Sequence, residues 1–164
     1  MFGLNVERVF AERGILFRAK VKGVNEIGQL ILEKEEHTHA TKVLRKQVGD
    51  LLWVMNGKGD LFECELVQIG SKKSQVIIKQ KKSYSKHNNL HIAIAPTKNN
   101  NRMEFFLEKA TEIGISQITP ILCERSERKV LKQERMEKII ISAAKQSRSF
   151  HLPVLNPMIS LNEY

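Results

Sequence analysis

Three short runs of charge carry the chemistry this sequence could perform. Lys98, Arg102 and Lys109 follow an apolar run that ends at Pro96, Arg125, Arg128 and Lys129 follow a second apolar run, and Gln146-Ser147-Arg148 closes a helical pattern. Guanidinium and ammonium groups repeated in this way suit the phosphates of a polyanion, each adding a salt-dependent contact. The same charges also read as a solvated surface balanced by Glu104, Glu108, Glu124 and Glu127. Both readings stay open on the residues alone. Arg148 suits the negative end of a helix, which accounts for its presence without a ligand.

Other constellations are weaker. His37-x-His39 stands beside Glu35 and Glu36, but on a helix converging metal ligands lie three or four residues apart, so no metal site is assigned. Asn56-Gly57-Lys58-Gly59 lacks the Gly-Lys-Ser/Thr ending of a phosphate loop and opens no helix; it reads as a hairpin turn. Cys64 and Cys123 sit in apolar strand patterns without a Cys-x-x-Cys partner, as reduced structural thiols do.

Composition narrows the partner. A net charge of +9 favours RNA, DNA or an anionic lipid surface. Residues 1–80 hold 13 Lys and Arg against 10 Asp and Glu, while residues 81–164 hold 14 against 8, so the second half is the stronger candidate for phosphate contact. No run of 18 apolar residues and no secretory signal is present, which makes the cytoplasm the expected compartment and a membrane an unexpected partner.

The elements that must position these charges can be read from periodicity. The first 27 residues show no sustained period. Leu30–Leu32 reads as a short strand, and EKEEHTHATKVLRKQ as a helix carrying Ala40, Val43 and Leu44 inward until Val48-Gly49-Asp50 breaks it. Leu51–Met55 and LFECELVQI then form a hairpin, with Phe62, Cys64 and Leu66 on one face and Glu63 and Glu65 on the other; Val76–Lys79 adds a strand. Residues 81–89, KKSYSKHNN, are basic and without period, as in a linker.

Beyond that linker, strands alternate with helices. Leu90–Ala95 is an apolar strand; Asn101, with Glu104 three residues on, reads as an N-cap and capping box. Met103, Phe106, Leu107, Ala110 and Ile113 recur at helical spacing up to a capping Gly114. Ile115–Cys123 is a second strand, Gln133–Arg148 a second helix with Met136, Ile139, Ile140 and Ala143 inward, and Val154-Leu155 starts a third strand. This alternation implies a parallel sheet, whose ligand edge lies where the strands end. The first two charge runs begin at that edge and can form one basic rim.

Taken in order, APTK, RMEFFLEKATEIG, ITPILCERS and AAKQSR before a Pro-containing strand resemble the RsmE-type small-subunit (16S) rRNA uridine-N3 methyltransferases. EEHTHATKVLRKQVGD and NGKGDLFECEL are similar to that family's amino-terminal RNA-binding domain, with His39 and Val43–Arg45 in the expected places. The resemblance covers roughly residues 28–158 and leaves 1–27 unmatched.

The resemblance implies an α+β / α/β two-domain chain. A PUA-like β-barrel over residues 1–80 and a linker over 81–89 would precede a SPOUT domain, a parallel α/β fold of trefoil-knot type, over 90–164. It implies methylation of uridine N3 in small-subunit rRNA, free or in the assembled small ribosomal subunit, with S-adenosylmethionine as donor and a homodimer as the working form. That family's Gly-Pro-Glu-Gly-Gly cofactor loop is not found in these 164 residues. The expectation is therefore an incomplete SPOUT domain, truncated at its carboxyl end, with no cofactor-binding residues of its own and no activity alone. The alternative is a catalytically inert RNA-binding protein that uses the barrel and the basic rim. By charge and position, the RNA contacts expected are Lys42 and Arg45 on the barrel helix and Lys98, Arg102, Arg125 and Arg148 on the second domain, with Glu124 and Gln146 orienting them. No spacing assigns a catalytic residue.

Overall fold

The computed structural model describes the backbone of residues 16–18 and residues 28–164 except position 87; apart from β1, the reading of residues 1–27 lies outside the described residues. The chain divides into two units, Met1–Asn56 with Asp60–Ser83 and Gly57–Gly59 with Tyr84–Tyr164. Among the described residues no helix is long and apolar enough to cross a membrane.

The first unit is built on alternation. Strands β1 (Leu16–Arg18), β2 (Gln29–Glu33), β3 (Leu51–Met55), β4 (Asp60–Ile69) and β5 (Lys73–Ser83) form one sheet in the order β1-β3-β4-β5-β2. All pairs are antiparallel except β1 with β3. Side chains two apart share a face of a strand, so Phe62, Cys64 and Leu66 of β4 meet Leu52, Val54 and Val76 in the core, joined by Leu30 and Leu32 of β2. Each buried aliphatic or aromatic side chain contributes on the order of 1.5–3 kcal/mol. β5 runs further than the sequence indicates, through Lys81–Ser83 of the expected linker. There Asp60–Phe62 offer ladder partners, while the Lys81 ammonium reaches Asp60 at 3.1 Å and lies over the Phe62 ring.

Helix α1 (Lys34–Thr38) passes into a wider π-helical turn, His39–Val43, closed by the Leu44 amide on the His39 carbonyl at 3.0 Å. That extra residue corrects the expected inward face. With more than four residues per turn, Ala40 and Leu44 stay on the core while Val43 swings out and is 64% exposed. His37 is buried, its Nδ1 2.8 Å from Ser74 Oγ, whereas His39 is half-buried.

The second unit alternates β6 (His91–Ile94), α2 (Asn100–Ile113), β7 (Gln117–Leu122), α3 (Gln133–Ser147) and β8 (Val154–Leu155). β7 is central and parallel to β6 and β8; a further strand, β9 (Ile159–Ser160), pairs in parallel with the far end of β7. Met103, Leu107 and Ala110 of α2, Met136 and Ile140 of α3, and Ile118 of β7 form the core, with Ile92, Ile94, Phe106, Ile139 and Leu155 packed against it.

Both ends of α2 refine the sequence reading. The cap is Asn99, not Asn101: its side chain accepts the Asn101 amide at 2.9 Å, and the helix starts at Asn100. Three consecutive asparagines made the cap position ambiguous, and Glu104 turns instead to Arg135 at 2.7 Å. At the other end Gly114 adopts the left-handed conformation, φ 85°, and the Ile115 amide returns to the Ala110 carbonyl at 3.0 Å. The cap delivers Ile115 to the core in place of Ile113, which is 72% exposed. Thr111 fills the inward position and satisfies its hydroxyl on the Leu107 carbonyl at 2.7 Å.

Candidate nucleic-acid interface

Parallel strands end on one edge, and two loops of the second unit leave it: Ala95–Asn99 after β6 and Cys123–Lys132 after β7. One arginine joins them. Arg128 donates from Nε to the Thr97 carbonyl at 3.1 Å and from Nη2 to the Lys98 carbonyl at 2.5 Å. A planar guanidinium can serve two adjacent carbonyls at once, which an ammonium on a flexible stem does less well. Arg128 is thus a clasp holding the rim, and not one of the free cations the sequence suggested.

Lys98, Arg102 and Arg125 share this edge. Arg125 sits at the corner of a tight turn closed by the Ser126 amide on the Cys123 carbonyl at 3.0 Å and the Cys123 amide on Ser126 Oγ at 2.9 Å. The turn presents Glu124 and Arg125 to solvent together, so Glu124 stands beside the arginine it was expected to orient. Arg102 is exposed in the first turn of α2, where the helix dipole disfavours a cation and no acidic residue compensates. A bound anion would reverse that unfavourable placement. Lys98 lies 3.4 Å from Glu127, but both side chains are largely exposed, and such a pair yields easily to a stronger partner.

The remaining candidates stand elsewhere. Lys109 lies further along α2, held by Glu108 at 2.8 Å and Glu112 at 3.0 Å, and these carboxylates, Glu108 first, raise its pKa above the usual lysine value. It is a helix-surface ion pair and leaves the rim. Gln146 and Arg148 lie at the carboxyl end of α3; a crossover helix returns antiparallel to its strands, so its last turn faces the opposite edge, where strands begin. Arg148 therefore does not join Lys98, Arg102 and Arg125. In the first unit, Lys42 and Arg45 are both exposed, Lys42 on the π-helical turn and Arg45 just after it with φ 52°.

Two features escaped the sequence reading. A polar chain crosses the sheet, His91 Nε2 2.7 Å from Thr119 Oγ1, which also accepts from Asn156 Nδ2 at 2.7 Å. A threonine in an otherwise apolar strand was the available signal. Beside Asn156 lies a cleft of about 180 Å³ lined by Pro120, Lys129, Leu131, Met136, Leu155 and Met158, among others. Its walls are mostly apolar and carry no acidic side chain, and its volume is below the roughly 300–1,000 Å³ of pockets that enclose a cofactor. Among the described residues there is no cluster of three or more His, Cys, Asp or Glu able to hold a metal.

Comparison with known proteins matches both units. Residues 32–79 match the RNA methyltransferase PUA domain and residues 84–164 the RNA methyltransferase domain. The chain is 30% identical over 142 residues to the ribosomal RNA small subunit methyltransferase E of Rickettsia conorii, with 85% of this chain and 57% of that protein covered. It superposes with a TM-score of 0.80 and 37% identity on a probable rRNA methyltransferase from Porphyromonas gingivalis, over 90% of this chain and 61% of that one. A putative methyltransferase of Legionella pneumophila, solved with the bound cofactor SAM, gives a TM-score of 0.77 and 28% identity, over 92% of this chain and 65% of that one. The chain spans less than two thirds of the length of each.

Proposed function

The chain belongs to the RsmE-type RNA methyltransferase family, which pairs a PUA domain with a SPOUT-type methyltransferase domain, and from that membership we propose that it serves the S-adenosylmethionine-dependent methylation of N3 of a uridine in small-subunit rRNA. The observation that carries this reading is the basic carboxyl edge of the parallel sheet, in a unit matched to an RNA methyltransferase domain. N3 lies on the Watson-Crick edge and bears a weakly acidic proton. The base must be unpaired to be reached, and the anion left on deprotonation needs nearby positive charge. In this reading Lys98, Arg102 and Arg125 hold the flanking phosphates, and the bonds from Arg128 to the Thr97 and Lys98 carbonyls support it by tying their two loops together. Lys42 and Arg45 of the PUA-like unit add a further anchor on the same RNA. A homodimer and the assembled small subunit as substrate complete the proposal.

S-adenosylmethionine would supply a methyl group on a sulfonium. The small apolar cleft beside Asn156 can shelter part of such a molecule, yet it offers no acidic group to the sulfonium or the ammonium. The residues present do not enclose the donor, and by themselves they support no catalytic step through it. That mismatch favours a second reading, RNA binding without catalysis by these 164 residues alone. Calorimetry distinguishes the two: the expected result is no micromolar binding of S-adenosylmethionine to the 164-residue chain, and tight binding would reject that reading.

The rRNA reading has its own test. A methyl on N3 blocks Watson-Crick pairing and stops reverse transcriptase. Deleting the coding gene should abolish one such stop at a small-subunit uridine; an unchanged pattern of stops would refute the assignment.

A further inference from the structure

The amino edge of the parallel sheet, opposite the rim, is assembled from three segments of the second unit. These are Gly57–Gly59, residues 84–86 and 88–90 before β6, and Lys145–Leu152, which leads into β8. Backbone bonds bind them together: Gly59 N–H to the Phe150 carbonyl at 2.9 Å, Leu152 N–H to the Gly57 carbonyl at 2.9 Å, and Tyr84 N–H to the Gly59 carbonyl at 2.8 Å. His151 Nε2–H donates to the Tyr84 carbonyl at 2.8 Å, and the Tyr84 and Phe150 rings stack with centroids 4.4 Å apart. Gly59 is buried at φ 100°, and a β-carbon there would meet the His151 ring and the Tyr84 carbonyl oxygen. The surface is therefore a built one, held by backbone geometry as well as by side chains.

Within these three segments the charge is of one sign, and the acidic residue that the end of α2 brings to the same edge, Glu112, is paired with Lys109 at 3.0 Å. Residues 57–59, 84–90 and 145–152 contain Lys58, Lys86, Lys145 and Arg148 and no Asp or Glu. Lys58, Lys86 and Arg148 are exposed. The rim on the other edge, by contrast, carries Glu124 and Glu127 among its cations. Arg148 adds an independent observation. It caps α3 in the left-handed conformation, φ 57°, with the next amide bonded to the Ala144 carbonyl at 2.9 Å. Glycine occupies such a cap without strain, so an arginine there accepts a conformational penalty that the cap itself does not require.

We propose that this amino edge, with Lys58, Lys86, Lys145 and Arg148, is a second contact for a single-stranded RNA backbone, separate from the carboxyl-edge rim. The proposal rests on the rRNA reading above and extends it: the substrate strand touches both ends of the sheet, and the two surfaces divide the phosphate contacts between them.

The test uses the full 164-residue chain and a fluorescein-labelled 20-nucleotide oligouridylate, with anisotropy titrations at several salt concentrations. Arg148→Gly keeps the cap and removes the charge. It should weaken binding about fivefold near 0.1 M salt and lower the salt slope by about 0.7, the value of one phosphate contact on a single strand. Lys58→Ala and Lys86→Ala should do the same, and Arg148→Lys should restore most of the slope. If Arg148→Gly and Lys58→Ala bind as wild type while Arg125→Ala weakens binding, the amino-edge proposal falls and the rRNA reading stands. If the wild-type chain does not bind the oligouridylate, both fall.

Discussion

Replacing Arg128 by alanine should loosen the whole carboxyl-edge rim, although Arg128 itself is not placed to meet phosphate. The guanidinium makes two hydrogen bonds to main-chain carbonyls, to Thr97 at 3.1 Å and to Lys98 at 2.5 Å. A hydrogen bond from a charged group contributes about 1.5–3 kcal/mol, and partial solvent access at these loops reduces the pair to about 2–3 kcal/mol in total. A unit of this size loses roughly 4 °C of melting temperature per kcal/mol, so Arg128→Ala should melt about 10 °C lower. Arg128→Lys separates geometry from charge. Lysine keeps the positive charge but lacks the fork, so its melting temperature should lie nearer the alanine variant than wild type. RNA affinity should fall in both while the salt slope stays that of wild type, because the number of phosphates met is unchanged. The measurement is thermal unfolding by circular dichroism beside anisotropy. A lysine variant that melts with wild type would refute the clasp, as would an alanine variant within about 2 °C of it.

Burial, and to a lesser degree the charge of Glu63, pushes the Cys64 thiol up to about 12, so it should resist iodoacetamide at pH 8 in the folded chain while half-buried Cys123 reacts. Mass spectrometry showing equal labelling rates at the two would overturn that assignment. The Asp60 carboxyl is held below its ordinary value, first by the Ser83 hydroxyl and then by Lys81 and Asn56, against an opposing effect of burial. A depressed folded-state pKa means that its stabilisation is fully present above the unfolded pKa of about 3.9 and disappears as pH falls through the folded value. The urea midpoint of wild type should therefore exceed that of Asp60→Asn at pH 7, and the gap should shrink as the pH falls below about 3.9. A constant gap between them would contradict the linkage.

What the sequence made legible was what depends on short-range pattern. The alternation of Phe62, Cys64 and Leu66, the helical recurrence of Met103, Leu107 and Ala110, and the cap at Gly114 all have local causes, and each stands where the pattern puts it. Misplacements arose where a choice was degenerate or where a distant partner decided it. Asn99, Asn100 and Asn101 are equally good caps in composition, and only the start of the helix selects Asn99. Val43 left the core because one turn widened, which no hydrophobic count reveals. Arg128 is not a free cation because two carbonyls some thirty residues earlier in the chain lie within its reach. Position along the chain could group the basic residues, but only the direction of α3 could separate Arg148 from the rim.

That separation changes what the charge pattern means. A positive φ at Arg148 costs on the order of 1–2 kcal/mol relative to glycine, and the capping bond from the Ser149 amide to the Ala144 carbonyl would form equally well with glycine in its place. Arg45, in the first unit, repeats the situation at φ 52°, also exposed and just beyond a helical turn. A solvated surface charge could be carried at any neighbouring position without strain, so two exposed arginines at left-handed turns are poorly explained as solubilising residues. Held in that conformation, the backbone fixes where each guanidinium starts, and less freedom remains to be given up when a phosphate binds. Arg45→Gly and Arg148→Gly thus share one physical expectation: the left-handed turn is kept while RNA binding weakens and its salt slope falls. The charges on ordinary helical backbone, such as Lys109 between Glu108 and Glu112, carry no such expectation.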